Sequence, residues 1–319
     1  MSVPVAATGV DVGGTKVLGV ALAGDGRVVT EHRVPTPATE AEVLAAIAGV
    51  VAELDSRTGA RAPVGVGVPG LVDDAGGVRF APNLAGLSGA KVADGLARLL
   101  GPGRHLVVEN DATAAGWGEA VYGAARGASH AVLVALGTGI GGGLVMDRRL
   151  VRGAHGFAGE IGHMMIDPSG PLCPCGRRGC WERYASGSGL GRLAREAAHA
   201  GLSPRLVALA GGDPESVRGE HVTQAAAEGD AGAIEVMGRF AWWLAAGLAN
   251  LANLLDPEVI VIGGGMIEAG AVLMDPTRAA MADLVEAGSV RPKIEVLAAE
   301  LGERAGAIGA AALAMEPWT

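Results

Sequence analysis

Cysteine, lysine and long apolar runs are all scarce in this 319-residue chain, and each scarcity excludes something. The three cysteines fall between positions 173 and 180, an odd number in one cluster, so a disulfide framework of the secreted kind is excluded. Lys16, Lys91 and Lys293 are the only lysines, and 25 basic against 34 acidic residues give a net charge of −9. That balance argues against a nucleic-acid-binding or anionic-membrane-binding role. Half of the residues are hydrophobic, yet no apolar run reaches the ~20 residues of a membrane-spanning helix. No basic segment precedes an apolar stretch at the N-terminus, so no signal peptide is expected and the cytoplasm is the expected compartment. Glycine, by contrast, is abundant. The 53 glycines lack a collagen period and gather at turns. The length suits two domains sharing a cleft rather than one small core.

The glycine turns reveal a repeat. Gly9 to Val12 reads as a strand, Gly13-Gly14-Thr15 as a tight turn, and Lys16 to Leu22 as the returning strand. A turn at Asp25 and a third strand to Val34 follow. Thr39-x-x-Glu42 is a capping box opening a helix whose Val43, Ile47, Val50, Val51 and Leu54 recur at helical spacing. Val64, Val66 and Val68 alternate as a further strand. The first half of this layout recurs later: a strand from Ala131 to Leu136, glycines from Gly137 to Gly143, a strand from Leu144 and a turn at Asp147. Gly137-x-Gly139-x-x-Gly142 also matches the dinucleotide fingerprint, but that motif needs a helix directly after the glycines, and hairpin sequence follows here. Two copies of one hairpin unit point to a duplicated α/β fold of the actin-like ATPase (hexokinase, ribonuclease H-like) type, with two domains around a cleft. Farther along, a helix from Ala231 to Leu255 has Ile234, Met237, Ala241, Leu244, Leu248, Leu251 and Leu255 as its expected core stripe. Trp242 and Trp243 fall off that stripe. A strand from Val259 to Ile262 ends in Gly263-Gly264-Gly265, and an Ala/Gly-rich helix over 303–315 closes the chain.

Every cysteine sits in the stretch Glu160 to Glu182. Three thiolates from Cys173, Cys175 and Cys180, with the imidazole of His163, satisfy a tetrahedral structural zinc site that has no open position for water. The alternative is three cysteines acting as small hydrophobes, which does not account for their clustering. Gly176 and Gly179 flank the turn, where a backbone folding around a metal needs positive φ. Glu160-x-Gly-His163 followed by Cys173-x-Cys175-Gly-x-x-Gly-Cys180-x-Glu182 resembles the signature of the ROK family of sugar kinases and sugar-responsive repressors, in particular its actinobacterial, zinc-containing, ATP-dependent glucokinases.

The resemblance implies a function. Phosphoryl transfer to a sugar hydroxyl needs a base on the hydroxyl, donors around the phosphates and a magnesium ion. Asp111, after the strand Leu106-Val107-Val108 and beside Asn110, is the implied base; the alternative is that Asn110 or Asp111 caps the helix from Ala112 to Ala120. Asp11 is expected to orient magnesium through water, with Gly13, Gly14, Thr15 and Lys16 at the phosphates of ATP; Asp11 paired structurally with Lys16 is the alternative. Gly137, Thr138 and Gly139 form the implied second phosphate turn, and Gly263, Gly264 and Gly265 the adenosine contact. Asn83, Asn110, Asp111, Glu160, His163 and Glu182 match the family's sugar-binding positions, His163 serving both zinc and sugar. After Pro82-Asn83 the chain runs Leu-Ala-Gly-Leu-Ser-Gly, where many family glucokinases have a tryptophan or arginine. Glucose is the expected substrate, with an N-acyl-hexosamine or fructose as the rival and a sugar-sensing repressor as the rival from another class. Only eight residues precede the first expected strand, which leaves no room for a winged helix. The expected domains are 1–110 with 302–319, and 111–301 with the zinc loop and nucleotide contacts, in a homo-oligomer (dimer or tetramer). Some family members use polyphosphate. With three lysines and one short arginine patch at 148, 149 and 152, this chain is expected to use ATP.

Overall fold

The structure, a computed structural model, describes residues 4–316. Strands β1 (Val5–Val12), β2 (Lys16–Ala23) and β3 (Val28–Pro35) form an antiparallel meander. Helix α1 (Glu40–Thr58) then crosses to β4 (Val64–Val68), which pairs parallel with β1. The capping box at Thr39 and Glu42 is present, and Gly59 at φ 68° ends the helix. The expected face of α1, Val43, Ile47, Val50, Val51 and Leu54, is buried in the core over this sheet. A short hairpin, β5 (Leu71–Val72) and β6 (Val78–Phe80), and helix α2 (Val92–Leu100) lead to β7 (Leu106–Asn110), parallel to β4. Helix α3 (Asp111–Tyr122) starts where β7 stops.

The second sheet begins with β8 (Ala131–Leu136), β9 (Ile140–Met146) and β10 (Arg149–Leu150). The glycine-rich run from 137 to 143 therefore continues into a strand, which removes the dinucleotide-fold alternative. Asp147 and Arg148, at φ 51° and 59°, make the turn before β10, which is only two residues long. After the cysteine loop come α4 (Glu182–Ala185), α5 (Gly187–His199), α6 (Pro204–Leu209), α7 (Gly219–Ala227) and α8 (Ala231–Leu255). Next are β11 (Val259–Gly263), α9 (Ala271–Leu284), β12 (Glu295–Ala298) and α10 (Ala305–Met315). The sheet orders are β3-β2-β1-β4-β7 and β10-β9-β8-β11-β12, the same arrangement twice: a hairpin-linked trio, then two parallel strands. The duplication reaches beyond the hairpin to the whole sheet.

The chain divides into two compact units, 1–133 with 142–159 and 299–319, and 134–141 with 160–298. The first unit takes in α3, where the sequence reading began the second domain at 111. Close packing of α3 on α10 is the reason. A Cβ at Gly118 would lie 2.9 Å from the Ala305 carbonyl oxygen, and one at Gly309 would lie 1.7 Å from that of Ala114. Helix α10 is buried on all sides from Gly306 to Ala314. Its small residues let the backbones of β1 and β4 approach, since a Cβ at Gly9 or Gly65 would fall 1.8 or 1.7 Å from the Ala307 or Ala310 carbonyl oxygen.

Within the second unit, α8 buries Ala233, Val236, Met237, Phe240, Ala241, Leu244, Leu248 and Leu251. Ile234, expected in that stripe, is instead 51 % exposed. A Cβ at Gly232 would sit 2.1 Å from the Leu202 carbonyl oxygen, so the helix starts in close backbone contact with small residues facing in and Ile234 turned out. Among the described residues, no helix is long and apolar enough to cross a membrane.

Candidate active site and metal centre

In the first unit the candidate residues lie at the ends of β1 and β7 and in the turn between β1 and β2. Gly13 N–H donates to the Lys16 carbonyl at 2.9 Å and closes that turn. Thr36, between two prolines after β3, donates its hydroxyl to the Gly13 carbonyl at 2.6 Å and its N–H to the Thr15 carbonyl at 3.1 Å. Gly14 and Thr15 are exposed, and a Cβ at Gly14 would meet nothing within 4 Å, so an approaching group finds open backbone there.

Asp11 and Asp111 come together. Gly67 on β4 separates them, and a Cβ there would lie 3.4 Å from the Asp111 Cα and 3.5 Å from Asp11 Oδ1. Burial, and then the Asp111 charge, push the Asp11 carboxyl up to about 7, against the opposing pull of Lys16. Burial also raises the Asp111 carboxyl, opposed by backbone N–H groups, chiefly that of Ala112, which donates to its Oδ1 at 2.8 Å. Glycine at 306 is explained by the same site: a Cβ would stand 2.6 Å from Asp11 Oδ1. Lys16 is paired with Glu303 rather than with Asp11, and Glu303 also accepts from Arg33 at 3.0 Å.

Asn110 is the cap of α3. Its Oδ1 accepts from the Thr113 N–H at 2.9 Å and its Nδ2 donates to the Gly70 carbonyl at 3.0 Å. Gly70 abuts Phe80 and Ala81, so Asn110 supports the turn that carries the exposed Asn83. The helix-cap alternative thus describes the Asn110 side chain, while Asp111 is the first residue of the helix itself. Arg152, expected in an exposed basic patch with Arg148 and Arg149, is committed elsewhere. Its Nε donates to Glu109 Oε2 at 2.6 Å, and Glu109, 5 % exposed on β7, needs that counter-charge. Nothing in the sequence spacing signalled this pair, or the Lys16–Glu303 pair; both join residues far apart in the chain.

In the second unit, the ligand atoms of His163, Cys173, Cys175 and Cys180 all lie within 4.8 Å of one another. Cys175 and Cys180 sulfurs are 3.6 Å apart, and the Cys173 sulfur is 3.7 Å from His163 Nδ1. Ligand atoms around a tetrahedral zinc, with sulfur at about 2.3 Å and nitrogen at about 2.0–2.1 Å, stand roughly 3.5–3.8 Å apart. The cluster fits such an ion. Gly176 and Gly179 adopt φ 87° and 71°, and a Cβ at Gly179 would fall 1.6 Å from the Asp167 carbonyl oxygen. Burial, and then the Glu182 carboxylate beside it, push the Cys173 thiol above its ordinary range, which a divalent cation would reverse by favouring thiolate.

Around this cluster stand the two candidate glutamates. With Nδ1 turned to the cysteines, His163 Nε2 faces Glu160 at 3.7 Å. Glu182 Oε1 accepts from the Cys173 thiol at 3.0 Å, and a Cβ at Gly139 would lie 2.5 Å from Glu182 Oε2. The carboxylate therefore reaches the turn between β8 and β9. Gly264 packs on the end of β8, its hypothetical Cβ 2.3 Å from the Leu136 carbonyl oxygen, so the 137–139 and 263–265 turns are neighbours. Behind the loop, Trp181 is fully buried, donates to the Trp243 carbonyl at 2.9 Å and fills the space over Gly247. Tyr184 packs on Trp243 and donates to Asp167 at 2.6 Å, tying the loop to α4 and α8. Trp243 therefore covers the metal loop's support, while Trp242 is 45 % exposed.

A duplicated sheet with a glycine hairpin in each copy, two acidic side chains meeting across β4 and a Cys3His loop defines an actin-like ATPase fold of the sugar-kinase class. The chain belongs to the ROK family, whose model matches residues 7–316. It is 40% identical over 315 residues to a glucokinase of Streptomyces coelicolor, covering 97% of each chain. It is 37% identical over 313 residues to a glucokinase of Thermotoga maritima, covering 97% of this chain and 96% of the relative. Among solved structures it is similar to a ROK family glucokinase from Streptomyces griseus in complex with glucose and AMPPNP. There the TM-score is 0.84 and the identity 40%, with 96% of this chain and 98% of the other covered.

Proposed function

We infer that the chain is a glucokinase that transfers the terminal phosphoryl group of ATP to the 6-hydroxyl of glucose. The observation that carries the chemistry is Asp111, seated at the first turn of α3, its carboxyl raised by burial, beside Asp11 and the first glycine turn. The glucokinase relatives, similar over nearly the whole chain, support glucose as the acceptor and ATP as the donor.

In this reading Asp111 Oδ2 takes the proton of the attacking hydroxyl, a raised pKa making it a stronger base than a solvated aspartate. Lys16, the backbone N–H groups of 13–15 and those of 137–139 are the donors for the phosphates, and fixed donors stabilise the charge that spreads over the transferred group. Glycines 263–265 give the adenosine moiety close access to backbone. Asp11 would hold a magnesium ion through water, and the ion would supply charge neutralisation at the phosphates. Asn83, Asn110, Glu160, His163 and Glu182 bind the sugar hydroxyls; His163 does so through Nε2, while Nδ1 would hold a zinc ion whose role would be architectural. Trp242 and Ile234, exposed on α8, offer the apolar surface that a second copy would cover in a dimer or tetramer.

The test is a panel of hexoses assayed with ATP and magnesium on the purified protein. Glucose should give the highest kcat/KM. Preference for an N-acyl-hexosamine or fructose would replace the substrate, and sugar binding without turnover would favour a sensor.

A further inference from the structure

The two glycine turns are held by matching clamps. In the first unit, Thr36 gives its hydroxyl to the Gly13 carbonyl at 2.6 Å and its N–H to the Thr15 carbonyl at 3.1 Å. In the second unit, Ser188 gives its hydroxyl to the Thr138 carbonyl at 2.9 Å, and Gly187 gives its N–H to the Gly137 carbonyl at 2.8 Å. Each clamp follows an anchor. Pro35 and Pro37 fix the backbone on either side of Thr36. The buried Ser186 hydroxyl lies 2.9 Å from that of Ser188 and accepts the Gly189 N–H at the start of α5.

A planar trans peptide points its C=O and the next N–H in opposite directions. A carbonyl tied back by a hydroxyl therefore aims the following N–H outward. Binding the Gly13 carbonyl aims the Gly14 N–H; binding those of Gly137 and Thr138 aims the N–H groups of Thr138 and Gly139. Donors fixed before the substrate arrives need no reorganisation when charge develops, which is how backbone amides stabilise phosphoryl groups best.

We propose that Thr36 and Ser188 are positioning residues for the ATP phosphates, each setting one glycine turn by holding its carbonyl groups. The proposal rests on the reading of 13–15 and 137–139 as phosphate turns. It also places the second clamp within α5, directly after the α4 segment that bears Glu182 and follows Cys180, so the metal loop and this turn share one support.

The experiment compares wild type with Thr36→Val, Ser188→Ala and the hydroxyl-retaining Thr36→Ser and Ser188→Thr, in full-length zinc-loaded protein. Steady-state KM is measured separately for ATP and glucose, together with binding of a non-hydrolysable ATP analogue. One lost hydroxyl contact should raise the ATP KM and the analogue Kd roughly three- to tenfold, with glucose KM within twofold and the thermal midpoint unchanged. The hydroxyl-retaining variants should restore ATP binding. Unchanged ATP KM in both Thr36→Val and Ser188→Ala, or equal shifts in glucose and ATP KM, would overturn the clamps while leaving the kinase reading standing. Absence of analogue binding and turnover in wild type would overturn both.

Discussion

The turn between β1 and β2 carries its charge in its own sequence, Asp11 and Lys16, whereas the turn between β8 and β9 is uncharged and receives a carboxylate, Glu182, from a loop elsewhere in the chain. The sheets behind them have the same strand order. The difference shows how a duplicated fold specialises: one copy keeps titratable groups on the strands themselves, and the other leaves its turn bare and takes a carboxylate from a loop whose His163 and cysteines could hold a metal ion. Burial therefore tunes acids in the first unit, while the second gathers a set of metal-ligating side chains.

Breaking the charged side should have the largest effect. Asp111→Asn is expected to fold and to bind glucose, measured by calorimetry, but to lose at least about a hundredfold in kcat as general-base help is removed; turnover within threefold of wild type would remove Asp111 as the base. Breaking the coordinated side comes next. Cys175→Ser should lose most of one bound zinc per chain and weaken glucose about tenfold or more, in line with the cost of disturbing metal shells. Elemental analysis that finds no stoichiometric metal in active wild-type protein would end the zinc assignment.

A smaller, sharpening comparison concerns the donor. Arg152, one of the three arginines in the short basic patch, is paired with Glu109, which leaves that patch short of the track a polyanion needs. ATP should exceed polyphosphate in turnover at matched phosphate concentration by several-fold; polyphosphate as the better donor would overturn that expectation. Smallest is a stability effect. Folding raises the Asp11 pKa to about 7, so the folded state prefers its protonated form, and the stability this group contributes is lost as pH rises from about 4 through about 7. Asp11→Asn should therefore raise the thermal midpoint by a few degrees at pH 8, with less gain toward pH 5. A midpoint difference independent of pH would contradict the assignment.

Much of the fold was legible because local chemistry wrote it. Thr39 and Glu42 announced α1, and the paired glycine turns announced the repeat. The cysteine spacing likewise located the cluster with His163. What escaped the sequence depends on long-range proximity. Ile234 looked apolar enough for the core, yet the contact of Gly232 with Leu202 rotates it outward. Arg152 looked like a free hairpin charge until β7 brought Glu109 to it, and Ser188 and Thr36 resemble many other hydroxyl residues until their carbonyl partners are seen. The small residues of α10 gave a hint of close packing, but which backbones they touch is a tertiary fact.

The most direct test of the two-acid site is the pH dependence of kcat/KM for glucose. Burial raises both carboxyls, so the acid limb should lie well above the ordinary aspartate range and contain two overlapping ionisations. In Asp111→Asn the residual activity should show a single ionisation, moved to lower pH because the Asp111 charge no longer opposes that of Asp11. An acid limb at the pKa of a solvated carboxylate, or one left unshifted in Asp111→Asn, would contradict the account.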